Sequence, residues 1–125
     1  MILKTDTIGH FENATELNIQ SAISYVGEKA SICDIVKLMV DEDNFICIWI
    51  GDEKTGHTLE LNSNSTKKAC KEKFNSENAI KIMIRYLHGD MSWINEYSWE
   101  KTISQKFIEN ITLLAKQMDK PEPGA

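Results

Sequence analysis

From Phe45 to Ile50 every residue is apolar, and polar, turn-forming residues close the run at both ends. Six apolar residues, most of them β-branched or aromatic, are too few for a stable helix and predict a strand. Phe45, Cys47 and Trp49 fall on one side of it and Ile46, Ile48 and Ile50 on the other. Such a strand needs cover on both faces, which places it at the centre of a sheet. The turn Asp41-Glu42-Asp43-Asn44 precedes it, and Gly51-Asp52-Glu53-Lys54-Thr55-Gly56 follows.

Outward from that strand, Ile32–Val40 predicts its upstream neighbour. Ile32, Val36, Leu38 and Val40 share one side and Cys33, Ile35 and Met39 the other, although the same run admits a helix. Downstream, His57–Leu61 turns Leu59 and Leu61 inward and Glu60 outward, completing a three-stranded antiparallel meander. Met1–Thr5 reads as a further short strand, and Trp93–Trp99 as a later one with Trp93, Tyr97 and Trp99 on one side.

Helical spacing dominates elsewhere. Between Thr15 and Lys29, the residues Leu17, Ile19, Ala22, Ile23 and Val26 gather on one face behind an N-cap at Thr15 or Asn13. Asn62–Ser65 is a polar loop, and Thr66–Phe74 predicts a short helix with four lysines outside and Ala69, Cys70 and Phe74 inside. Ser76 as N-cap opens a helix carrying Ala79, Ile80, Met83, Ile84 and Leu87, which ends near Arg85, His88 and Gly89. Thr102 and Gln105 form a capping-box pair before a final helix. Its stripe of Ile103, Phe107, Ile111, Leu114 and Met118, with Ile108 and Ala115 beside it, is expected to be a core face. The sum is an α+β fold: an antiparallel sheet, built from the meander plus a later strand, with three to four packed helices. One domain over residues 1–120 and a mobile tail at 121–125 are expected.

Composition narrows the class. With 42% hydrophobic and 26% charged residues the chain lies in the ordinary globular range. No apolar run approaches the ~20 residues of a membrane span, and the start lacks the basic and apolar regions of a signal peptide, so the cytoplasm is expected. Cys33, Cys47 and Cys70 are odd in number and unpaired in spacing, as reduced thiols in apolar surroundings would be. Charge is uneven: residues 1–62 hold eleven acids against four lysines, and residues 63–125 hold ten bases against eight acids. The net charge of -5 disfavours direct nucleic-acid binding and suits a basic protein partner.

Chemistry-bearing motifs are sparse. No phosphate-cradling glycine loop, HExxH, paired CxxC or EF-hand occurs, so no cofactor and no metal is expected. His57 and Glu60, three apart on a strand, point to opposite faces. His88 with Asp90 brackets a helix end, where a cation answers the dipole. No catalytic residue is therefore assigned. Two candidate binding surfaces are left. The first is the pair of acidic turns, Asp41, Glu42 and Asp43 and then Asp52 and Glu53, expected at opposite ends of the sheet. Charged turn tips also serve solubility alone. The second is the group Trp93, Tyr97 and Trp99, which reads first as core, with an interface anchor as the alternative.

Asn78-Ala79-Ile80 leading to Tyr86-Leu87-His88-Gly89, with Trp93 or Trp99 downstream and a short acidic meander before, resembles the small bacterial immunity proteins of polymorphic-toxin and contact-dependent growth-inhibition systems. The resemblance covers about residues 77–99. It implies a cytoplasmic protein that binds and neutralises a cognate toxin domain, with no reaction of its own. Toxins of this kind that act on nucleic acid are often basic, and an acidic face would complement them. Toxin-facing surfaces vary among immunity proteins, so the resemblance assigns no contact residue. The alternative is a small regulatory or adaptor domain that binds another protein or a small molecule, and behind it an enzyme whose site is assembled from residues distant in sequence.

Overall fold

A computed structural model describes residues 1–5, 9–29, 35–51, 55–64 and 66–118. In chain order its elements are β1 (Ile2–Thr5), β2 (Gly9–Phe11), α1 (Glu16–Lys29), β3 (Ile35–Asp41), β4 (Asn44–Trp49), β5 (Thr58–Ser63), β6 (Thr66–Cys70), α2 (Ser76–Leu87), a 3-10 helix (Ser92–Glu96), β7 (Trp99–Glu100) and α3 (Ile103–Met118). All strands join one antiparallel sheet in the order β2-β1-β3-β4-β5-β6-β7. The expected α+β class holds, with seven strands among the described residues where a meander, a short strand at Met1–Thr5 and one later strand were expected.

The apolar run Phe45–Ile50 supplies the middle strand, β4, as its two-sided pattern demands. Register aligns Leu3, Leu38, Ile46 and Leu61 across four strands, and Thr5, Val36, Ile48 and Leu59 one step along. Helices α1 and α2 lie on this face. They close the core through Ile19, Ala22 and Ile23 from α1 and Ala79, Ile82, Met83 and Tyr86 from α2. The other face carries Ile35, Lys37, Met39, Phe45, Cys47, Trp49 and Glu60, and no described helix packs on it. Its centre is closed instead by its own bulk: Lys37 Nζ sits 3.8 Å from the Phe45 ring centroid, and Met39 and Cys47 are buried beside it. Cover on both faces is thus met by helices on one and by neighbouring side chains on the other.

Several expectations need correction. Thr66–Cys70 is strand β6, paired to β5 through Asn62↔Lys67 and Glu60↔Ala69. Its lysines suit a helix exterior equally well, and the open β5 edge decides the outcome, because cross-strand pairing outweighs a weak local propensity. Asn62 and Ser63 accordingly belong to β5. Trp93 lies in the 3-10 helix, and only Trp99–Glu100 pairs as strand. Val40 does not share the side of Leu38. The register shifts between Met39 and Asp41, and that bulge turns Val40 out to solvent. Leu17 on α1 is likewise exposed. Thr15 is the α1 cap, in a reciprocal pair with Asn18. Asn75 rather than Ser76 caps α2, and Gly89 ends it at φ +78°. Ile32, Cys33, Asp52, Glu53 and the 121–125 tail lie outside the described residues, and so do the side chains of Val26, Gly27, Ile103 and Met118.

Candidate binding surface

Asp41, Glu42 and Asp43 form the exposed tip of the β3–β4 hairpin. The Asp41 carboxylate accepts the Asp43 N–H at 2.8 Å and the Asn44 side-chain amide at 3.0 Å. Those hydrogen bonds, the Asn44 side chain first, hold its carboxyl below the usual aspartate range. Asn44 Oδ1 in turn accepts the Asn64 N–H at 3.0 Å, tying this tip to the β5–β6 turn. The tip is therefore both charged and pre-ordered. Asp52 and Glu53, its expected counterpart, cannot be placed against it because both fall outside the described residues.

The aromatic group divides. Trp93 is fully buried in the core, 6.0 Å from the tilted Trp99 ring. Tyr97 meets Phe74 edge to face at 5.1 Å, and Trp99 donates its indole N–H to the Ile94 carbonyl at 2.9 Å. Lys68 Nζ stands 4.7 Å over the Trp99 ring. Trp93 is core, and the two half-buried rings are engaged by neighbours.

His57 is buried, and its partners were not readable from sequence because they come from Gly51 and from Ser76 nineteen positions away. The Gly51 N–H donates to Nδ1 at 3.1 Å, so the ring hydrogen sits on Nε2 and points at Ser76 Oγ, 2.8 Å off. Burial lowers the His57 pKa, which keeps this neutral tautomer. Ser76 is thus an acceptor from His57, the reverse of the proton flow that nucleophile activation requires. Glu60 points to the other face, as strand geometry predicts. His88 does not act with Asp90: it pairs with Glu16 of α1 at 2.7 Å, while Asp90 belongs to Arg85 and Ser92. Burial raises both the Cys47 and Cys70 thiols to about 12, so both stay protonated and unreactive at neutral pH.

An open groove of about 370 Å³ runs between α2 and Tyr97, lined by Asn78, Lys81, Ile82, Ile84 and Arg85. Its cations are already committed. Lys81 pairs with Glu77, and Arg85 binds Asp90 at 2.9 Å, Glu96 at 3.3 Å and Ser92 at 2.8 Å. Ser92 hydrogen bonds and then Arg85 hold the Asp90 carboxyl down at about 2. This network fastens the 3-10 helix to α2 and offers little unspent charge to a ligand.

The largest departure from expectation is α3. Its capping box forms as predicted, Thr102 N–H to Gln105 Oε1 at 2.7 Å and Gln105 N–H to Thr102 Oγ1 at 3.1 Å. Its apolar stripe, however, is not core. Phe107 is 64% exposed, Ile108 62%, Ile111 50% and Leu114 58%. The polar side faces the domain instead, with Gln105 Nε2 donating to the Lys67 carbonyl at 3.1 Å and Lys106 pairing with Glu100. The sequence carried no signal of this outcome. Phe107, Ile111 and Leu114 are spaced four and three apart, but so are Ala79, Met83 and Tyr86, which α2 buries, so the spacing shows an apolar face and not what covers it.

Sheet register places the root of α3 and the acidic tip at one end of the molecule. β7 pairs antiparallel to β6, Trp99 with Cys70 and Glu100 with Ala69, so the chain runs back towards Lys67. Lys67 pairs with Asn62 and Asn62 with Phe45, two residues from Asp43 at the hairpin tip. No described helix is long and apolar enough to cross a membrane. Comparison with protein families, curated proteins and solved structures finds no match for this chain.

Proposed function

We propose that this protein is an immunity protein, which acts in the cytoplasm by binding and neutralising a cognate toxin domain through its acidic surface. The observation that carries the reading is the Asp41-Glu42-Asp43 tip. Its charges are exposed, and its backbone is fixed by Asp41 and Asn44 before any partner arrives. A pre-ordered acidic tip draws a basic partner at long range and loses little conformational entropy on contact. The resemblance over residues 77–99 and the acidic first half of the chain support the same reading. The fitting partner is a basic toxin domain, one that acts on nucleic acid for example, whose substrate groove an acidic protein can fill.

The test purifies the product of the gene immediately upstream, which is expected to carry a toxin domain, and mixes it with the chain. Tight binding and protection of growth are expected. The triple change Asp41→Lys, Glu42→Lys and Asp43→Lys should slow association about tenfold or more and flatten its salt dependence. Unchanged association would move the contact elsewhere on the surface. Absence of both binding and protection would end the immunity reading.

A further inference from the structure

We propose that the apolar seam of α3 pairs two copies of this chain, helix against helix and antiparallel. Four large apolar side chains, Phe107, Ile108, Ile111 and Leu114, stand half or more in water on one side of a single helix. An isolated helix of this length is marginal in water, because its stability comes mainly from packing an apolar face. Among the described residues, its own domain does not supply that packing. The flank bearing Gln105 and Lys106 holds the sheet edge, which leaves the seam on the far side. Nor does the helix-free sheet face invite it, since Met39, Cys47 and Ala69 there are already 5–6% exposed.

A second copy fits for three reasons. The four-three spacing of Phe107, Ile111 and Leu114 is the repeat that sets knobs into holes between two helices. The positions flanking the seam, Ile108 and Ala115 on one side and Asn110 and Gln117 on the other, carry no charge, so nothing repels an identical helix. Antiparallel alignment sets Ile111 against Leu114 of the other copy. It also sets Ile108 against the small Ala115 and Asn110 against Gln117, large facing small and amide facing amide. Each domain hangs from the N-terminal end of its helix, so antiparallel pairing keeps the two bodies at opposite ends. Burying these faces withdraws roughly 1,000 Å² in total, which reaches the lower bound for a specific protein interface.

Sedimentation velocity on the full chain tests this between about 1 and 200 µM, the range in which a modest interface fills. A reversible dimer is expected. Ile111→Glu with Leu114→Glu should give a monomer throughout, with helical ellipticity lost and the near-ultraviolet tryptophan spectrum of the core retained. Leu113→Glu, on the opposite flank, should remain a dimer. In mixing experiments, Asn110→Cys with Gln117→Cys should form intermolecular disulfide in higher yield than either variant alone. A monomeric parent chain, as a seam reserved for a foreign protein would give, overturns the proposal. So does a dimer that survives the double substitution. Equal disulfide yields would overturn the antiparallel arrangement. Charge reversal at Asp41–Asp43 leaves this dimer intact, so failure here and failure of the immunity reading are distinguishable.

Discussion

Helices α2 and α3 look alike in sequence and end differently in structure. Both begin with a capped first turn, Asn75 in one and the Thr102–Gln105 box in the other, and both repeat apolar residues at helical spacing. α2 buries Ala79, Ile82, Met83 and Tyr86 against the sheet, whereas every described α3 side chain from Lys106 to Gln117 is exposed. A fully buried large apolar side chain contributes about 1.5–3 kcal/mol, so α2 is part of what holds the domain together and α3 is not. An amphipathic pattern states that a face must be kept dry. It does not state by whom.

The sharpest test removes the same kind of atoms from each helix. Met83 is fully buried on the core face of α2. Met83→Ala should cost about 2–5 kcal/mol in urea unfolding, through lost transfer energy and the cavity left behind. Leu114→Ala, at a concentration where the chain is monomeric, should shift the same unfolding by less than about 0.5 kcal/mol. A large loss at Leu114 would mean that α3 packs on its own domain, and the contrast between the helices would collapse.

Caps give a smaller and more specific contrast. Asn75→Ala removes the acceptor for the Asn78 N–H, 2.8 Å away, and should destabilise the whole domain by about 1 kcal/mol. Thr102→Ala breaks the Gln105 half of its box, and the intrinsic loss is similar. Here it should appear as fraying of α3, read by amide exchange from Gln105 to Ile108, with the domain's urea midpoint unmoved. Exchange rates that stay protected in the Thr102 variant would show that something besides the cap holds the first turn.

What the sequence disclosed follows from how local each cause is. The central strand, the α2 helix and the α3 capping box are set by residues within a few positions of one another and were legible. The buried face of α2, however, is Ala79, Ile82, Met83 and Tyr86, rotated from the expected stripe so that Ile80, Ile84 and Leu87 are only half-buried. β6 was not, because Lys67-Lys68-Ala69-Cys70 becomes a strand only beside the β5 edge. The 3-10 turn at Trp93 was hidden for a similar reason: Arg85, from α2, gathers Asp90, Ser92 and Glu96 and tightens that segment. The acidic tip was legible as charge, while its rigidity depends on Asn64, twenty residues from Asn44. The apolar face of α3 was legible as a stripe, but a stripe names no partner.

The smallest effect expected is a pH dependence seated at the root of α2 and absent from α3. Burial lowers the His57 pKa below its ordinary value of 6.5 while the ring holds Ser76, the first residue of α2. Above pH 6.5 both folded and unfolded chains carry a neutral imidazole, so His57 adds no slope. Below it the unfolded chain takes up a proton that the folded one refuses, and stability falls with pH until the lowered folded value is passed. Asp41 and Asp90, whose carboxyls are depressed from 3.8, act in a separate and more acidic window. Urea midpoints at about pH 7.5 and pH 5.5 should therefore differ in the parent chain and differ less in His57→Gln, whose amide cannot titrate. The α3 pairing should keep its dissociation constant across the same interval, since no histidine lies between Ile103 and Met118. An equal slope in His57→Gln would mean that the buried imidazole is not what couples α2 to acid.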